Sequence, residues 1–114
     1  SFAHYYDAMR QKIEAYGSAF FPRANGRPLY GSLIIVVSID AQGNITHNAQ
    51  GKDGLSIGRS SGNAELDRQA LAIVRASAPF GVFPSEMRKQ IDVLDWVSTF
   101  DFAREGSDRL ELRR

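Results

Sequence analysis

The stretch DVLDWVSTFDF, residues 92–102, alternates without a break. Leu94, Trp96, Ser98, Phe100 and Phe102 fall on one side, and Val93, Asp95, Val97, Thr99 and Asp101 on the other. This is the two-residue period of a β-strand with one face buried. The aromatic side requires a core. The half-polar side belongs to a strand that either closes a small sheet or leaves its backbone edge to another chain, and the elements around it decide between the two.

Upstream, NAELDRQALAIVRAS at residues 63–77 predicts the clearest helix. Ser61 or Asn63 can cap it, and Glu65 and Asp67 fall in a first turn that favours negative charge. Leu66, Ala70, Ile73 and Val74 make its apolar stripe, Ser77 ends the stripe, and Pro79 ends the helix. APFGVFPSEM, residues 78–87, predicts a tight connector whose Phe80 and Phe83 plug the seam between helix and sheet.

GSLIIVVSI at residues 31–39 is β-branched and apolar on both sides, as a central strand is. DAQGN, residues 40–44, reads as a turn with Gly43 at positive φ. A second strand is expected to begin near Ile45 and to run into GKDGLSIGRSSG, residues 51–62, read as a flexible hairpin tip. At the front, AHYYDAMRQKIEAY, residues 3–16, puts Tyr5, Met9, Ile13 and Tyr16 on one helical face, with Gly17 and Ser18 as stop signals. FFPRANGRPLY, residues 20–30, with Pro22 and Pro28, reads as an irregular connector.

The order helix, strand, strand, helix, strand predicts an α+β fold: a small, mainly antiparallel three-stranded sheet with helices packed on one face. A single domain spans residues 1–114: residues 1–20 form the N-terminal helix and linker, 21–102 the core, and 103–114 a tail. AREGSDRLELRR is polar and expected to fray, although LEL can add a short strand. A three-stranded sheet keeps two free edges.

Composition excludes several classes. With 14 basic and 13 acidic side chains the net charge is +1, so no global field gathers nucleic acid or anionic lipid. The absence of cysteine removes disulfides and thiolate metal sites. The longest apolar run, LIIVV at residues 33–37, is far short of the roughly 20 residues that cross a bilayer. The chain opens at Ser1 rather than methionine, so we expect a domain excised from a longer protein, with any targeting or anchoring segment outside it.

Candidate chemistries are weak. His4 and His47 stand apart in the sequence with no partner at ligand spacing, so no metal is expected. Ser60 or Ser61 with His47 and Asp53 could be drawn as a hydrolytic triad, but the GxSxG elbow is missing. The glycines of residues 51–62 lack the GxxxxGK[ST] order of a phosphate loop. No catalytic residue and no cofactor is expected. The sheet edge remains: an extended peptide can add to it as a strand, with Asp95 and Asp101 acting either as docking residues or as charges that keep the edge unpaired.

Taken together, FP at residues 21–22, LYGSL at 29–33, the turn from Ile39 to Ile45, SSG at 60–62, LDRQALAIVRASAPF at 66–80, FPSEMR at 83–88 and STFDF at 98–102 resemble the C-terminal domain of TonB, with an extra N-terminal helix. The loop after Gly43, residues 44–60, is longer than is usual in that family. The resemblance implies a non-enzymatic periplasmic domain, whose full-length protein is anchored in the inner membrane by a helix outside this chain and works with ExbB and ExbD. It implies binding of the TonB box of outer-membrane receptors for siderophores, haem or vitamin B12 by pairing with the last strand. By position, Asp92, Val93, Asp95, Val97, Thr99 and Asp101 are the expected partner-binding residues, with Phe21 and Pro22 as a second contact. The alternative reading is a TolA-like envelope-tethering domain. The residues leave open whether the domain forms a homodimer.

Overall fold

The computed structural model describes residues 2–48 and 50–113. In chain order the elements are α1 (Phe2–Ala19), β1 (Arg23–Ala24), β2 (Arg27–Pro28), β3 (Gly31–Asp40), β4 (Leu55–Arg59), α2 (Ala64–Ser77), α3 (Ser85–Arg88), β5 (Val93–Glu105) and β6 (Ser107–Arg113).

The expected α+β architecture is present, with one correction. The sheet has four strands rather than three, in the order β4-β3-β5-β6, with every neighbouring pair antiparallel. The fourth strand is the tail that was expected to fray, and it contains the LEL segment that could add a short strand. Its SDRLELR sequence alternates, with Leu110 and Leu112 buried and Arg109, Glu111 and Arg113 exposed. Burying two leucines contributes about 1.5–3 kcal/mol each, enough to hold a short polar segment in place.

β5 buries Leu94, Trp96, Ser98, Phe100 and Phe102, the face assigned from its alternation. β3 adds Leu33, Ile35, Val37 and Ile39. The helices cover this face. α2 starts at Asn63, whose side-chain oxygen accepts the N–H groups of Glu65 and Leu66, so Asn63 rather than Ser61 is its cap. Its buried residues are Leu66, Ala70, Ile73, Val74 and Ser77, and the Ser77 hydroxyl is satisfied by the Ile73 carbonyl at 2.7 Å. Phe80 and Phe83 are buried in the following connector, Phe83 edge-on to Tyr5 with ring centres 5.2 Å apart.

α1 runs past the expected stop. Its buried face is Tyr5, Met9, Ile13 and Gly17, with Tyr16 only partly covered. Gly17 is there for space. A Cβ at this position would run into Leu110 Cδ2 and lie 3.2 Å from Leu110 Cβ, so the missing side chain lets α1 approach β6 closely.

Two loop expectations are also corrected. Residues 20–30 contain the small hairpin β1-β2, turned by Asn25 and Gly26 at φ 54° and 78°. Two successive positive φ values are the signature of a tight Asn-Gly hairpin turn. The second long strand does not start near Ile45, which makes only an isolated bridge to Ile39. It is β4, drawn from the glycine-punctuated segment. The Asn48 side chain accepts the N–H groups of Gln50 and Lys52, folding the intervening loop back so that Gly54 lies against the Thr46 carbonyl, where no Cβ fits. Leu55 then pairs with Val37.

Candidate docking site

Which backbone groups of β5 are claimed follows from the outer bonds of its neighbours. On β6, the Leu110 and Leu112 N–H groups point away from β5: they donate to Ser18 Oγ at 3.1 Å and Glu14 Oε2 at 2.8 Å, both on α1. Their partners across the pair are Phe102 and Phe100. In an antiparallel ladder orientation alternates, so Thr99, Asp101 and Ala103 turn their N–H and C=O groups toward β6. By the same period Val97, Asp95 and Val93 present theirs on that side too.

The opposite side agrees. On β3, the Ser38 N–H donates to the Gly54 carbonyl at 2.6 Å and the Asp40 N–H to the Asn44 carbonyl at 2.8 Å, both away from β5. Ser38 faces Asp95 and Asp40 faces Val93 in the register. Asp95 and Val93 therefore turn their backbone groups away from β3. β6 pairs with β5 from Thr99 to Glu105, and among the described residues no strand pairs with residues 93–97 on this side. Among the described residues, β5 is covered by β6 along its second half and open on this side along its first.

The expected partner-binding residues thus divide. Val93, Asp95 and Val97 lie on the open stretch, and Asp92 is exposed just ahead of it. Thr99 and Asp101 lie opposite Arg113 and Glu111, so their edge groups are taken by β6. Asp101 also accepts bonds from Arg113 and Ser32. The Arg113 guanidinium holds its carboxyl below the usual aspartate range, against some burial and with help from the Ser32 hydroxyl. Asp95 accepts the Ser38 hydroxyl at 2.6 Å. Phe21 and Pro22 are core residues: Phe21 packs against Tyr30 and Phe102, with ring centres 5.8 Å and 5.7 Å away, and the outward ring there is Phe20.

Beside the open stretch lies a cleft of about 120 Å³ between α1 and the sheet, lined by Ala3, Tyr6, Asp7 and Arg10 on one side and by Trp96, Ser98, Leu112 and Arg113 on the other. It is far smaller than the roughly 300–1,000 Å³ of a small-molecule site and suits a single side chain. Sequence reasoning missed this wall. Its only signal was the polar positions Asp7, Arg10, Glu14 and Ser18 at helical spacing on a helix otherwise read for its core face.

The competing chemistries come apart. Ser60 and Ser61 both donate to Asp67, closing the turn before α2. Burial alone would raise the Asp67 carboxyl, but these hydroxyls and the Ser61 N–H more than offset it, and the group titrates below its ordinary value. Asp53 serves Arg75 and the Leu55 N–H. Among the described residues no group of three or more histidine, aspartate and glutamate side chains is placed to hold a metal ion, and no helix is long and apolar enough to cross a membrane.

No curated protein and no solved structure matches the chain. A family does: the TonB C-terminal family matches residues 2–94, from the start of α1 into the first residues of β5. With α1, the β3-β4 pair, α2 and the entry to the half-open strand all inside that match, the chain belongs to the TonB C-terminal family.

Proposed function

We propose that this chain is the periplasmic, receptor-binding domain of a TonB-type energy transducer, and that it captures the TonB box of outer-membrane receptors as an added strand on residues 93–97 of β5. In this reading the domain performs no catalysis. ExbB and ExbD act through segments outside this chain, anchored in the inner membrane, and the pull passed to the receptor serves uptake of siderophores, haem or vitamin B12. The observation that carries the reading is the run Val93, Asp95 and Val97, whose outward backbone groups meet no strand among the described residues, in a member of this family.

Main-chain pairing gives such a complex affinity without demanding one sequence. Ordering a flexible peptide offsets about 2–5 kcal/mol of the gross interaction, so the isolated pair should bind at micromolar affinity or weaker. Tethering in a narrow compartment makes that sufficient, because effective concentrations for suitable linkers approach the millimolar range.

Val97→Pro tests the reading. Val97 turns its N–H away from β3, so proline removes an edge donor without breaking the β3-β5 ladder. A TonB-box peptide should lose binding to this variant while the thermal transition is kept. Unaltered binding by a folded Val97→Pro protein would rule out the open stretch as the docking edge.

A further inference from the structure

We infer that the open face of the sheet is a contact for a second copy of this chain, joined about a two-fold axis through Val36. Val97 of each copy sits over Ile34 and Thr99 of the other, and Arg59 of each faces Asp95 of the other. The contact uses the face of the sheet and is independent of strand addition at the edge of β5.

The helices cover the face that carries Leu33, Ile35, Trp96 and Phe100. The alternate residues point the other way, and the register sets them in rows across the strands. One row runs Arg59, Ile34, Thr99, Arg113; the next runs Ser56, Val36, Val97; in the one after that Ser38 faces Asp95. Val97 is 55% exposed and Val36 is half-buried beside it. Gly58 keeps the β4 side low, since a Cβ there would lie 3.1 Å from Ile34 Cγ2 and 3.4 Å from Val36 Cγ2. Above Ile34 and Thr99, between the Arg59 and Arg113 side chains, is a hollow of about 240 Å³. A lone exposed valine is ordinary, but here a raised valine stands one row from a hollow that can receive it.

The charges give the orientation. Val36 is the midpoint of a diagonal: Arg59 lies one strand to one side and one repeat back, and Asp95 one strand to the other side and one repeat on. With strands about 4.8 Å apart and about 6.8 Å between side chains on one face, each charge is roughly 8 Å from Val36. Half a turn about an axis in the sheet plane, through Val36 and perpendicular to this diagonal, exchanges its two ends. The same turn carries Val97 to within about 3 Å of Ile34 in projection, into the hollow, and crosses the two sheets at about 70°, close to orthogonal packing. Such self-complementarity is what a two-fold interface requires. Both charges are available: among the described residues Arg59 has no acid partner, and exposed Asp95 accepts only the Ser38 hydroxyl. Arg113, which falls near the axis, is already neutralised by Asp101. The patch is roughly 14 Å by 14 Å, well short of the about 800 Å² per partner of a standard interface, so the dimer is weak and reversible.

The test is sedimentation of the whole chain, without peptide, from about 20 μM to about 1 mM, where reversible dimerisation is expected in the upper part of the range. Arg59→Asp and Asp95→Arg should each weaken association by roughly tenfold, because each change is felt twice across the axis. A protein carrying both should recover it. In the unmodified protein, amide shifts that depend on concentration should gather at Ile34, Val36, Arg59 and Val97, a readout that holds even where Asp95→Arg unfolds the chain. A chain monomeric throughout the range, concentration-dependent shifts confined to α1 or β6, or a folded double variant no more associated than the single ones would each overturn the contact. Strand addition is judged separately, by TonB-box binding to Val97→Pro.

Discussion

Glu14 on α1 accepts the backbone N–H of Leu112 on β6 at 2.8 Å. A helix side chain thereby closes the outer edge of the last strand, which would otherwise be an open template for aggregation. Glu14→Ala leaves that half-buried donor without its acceptor. We expect a loss of about 1–3 kcal/mol by urea unfolding, together with faster hydrogen exchange at Leu112. An unchanged midpoint and exchange rate would mean that the contact does not hold the edge.

Gly17 gives a sign test. On an open helix face Gly→Ala stabilises by roughly 0.5–1 kcal/mol. Here the added methyl meets Leu110 at the α1-β6 contact, and overpacking of this kind costs about 1–3 kcal/mol. Gly17→Ala should therefore lower the melting temperature, and a rise would show that β6 moves aside without cost.

Trp96, 7% exposed, anchors the core face of β5 next to the open edge. Trp96→Ala should destabilise by about 3–5 kcal/mol in denaturant melts. A loss below 1 kcal/mol would place the ring outside the core, contrary to its position beside Phe100 at 6.5 Å between ring centres.

The Arg113–Asp101 pair links stability to pH. The folded carboxyl titrates below its unfolded value, so its contribution is fully present above the ordinary aspartate pKa of about 3.9 and is lost as pH falls through the folded value. The effect is modest because the Arg113 side chain is 57% exposed. Asp101→Asn should flatten the acid limb of the stability profile and leave the slope between pH 6 and 8 unchanged. A variant whose acid limb matched the wild type would remove the pair from the pH dependence.

The elements with strong periodicity were legible in the sequence. α2 and the buried face of β5 announce themselves because each repeats apolar residues at one period, and β3 because its β-branched run is apolar on both sides. The Asn-Gly turn at residues 25–26 was legible too, but two prolines nearby drew the reading toward an irregular connector. β4 was hidden because glycines at 54 and 58 look like flexibility, whereas Gly54 is required by the close approach of the Thr46 carbonyl. β6 was legible only in part, as the LEL that can add a short strand, because only Leu110 and Leu112 mark it among charges. That strand matters most for the site, since it covers Thr99 and Asp101 and leaves Val93, Asp95 and Val97 open. No pattern within β5 reveals that half-coverage, because it follows from how far β6, turned back at Gly106, runs along it.

The most direct measurement is a titration of the 15N-labelled protein with a TonB-box peptide, followed amide by amide. Strand addition on β5 predicts saturable shifts and slowed exchange at Val93, Asp95 and Val97, with little change at Ser56 and Arg59 on the opposite edge. Shifts confined to β4, or still amides across residues 93–97 at saturating peptide, would contradict it.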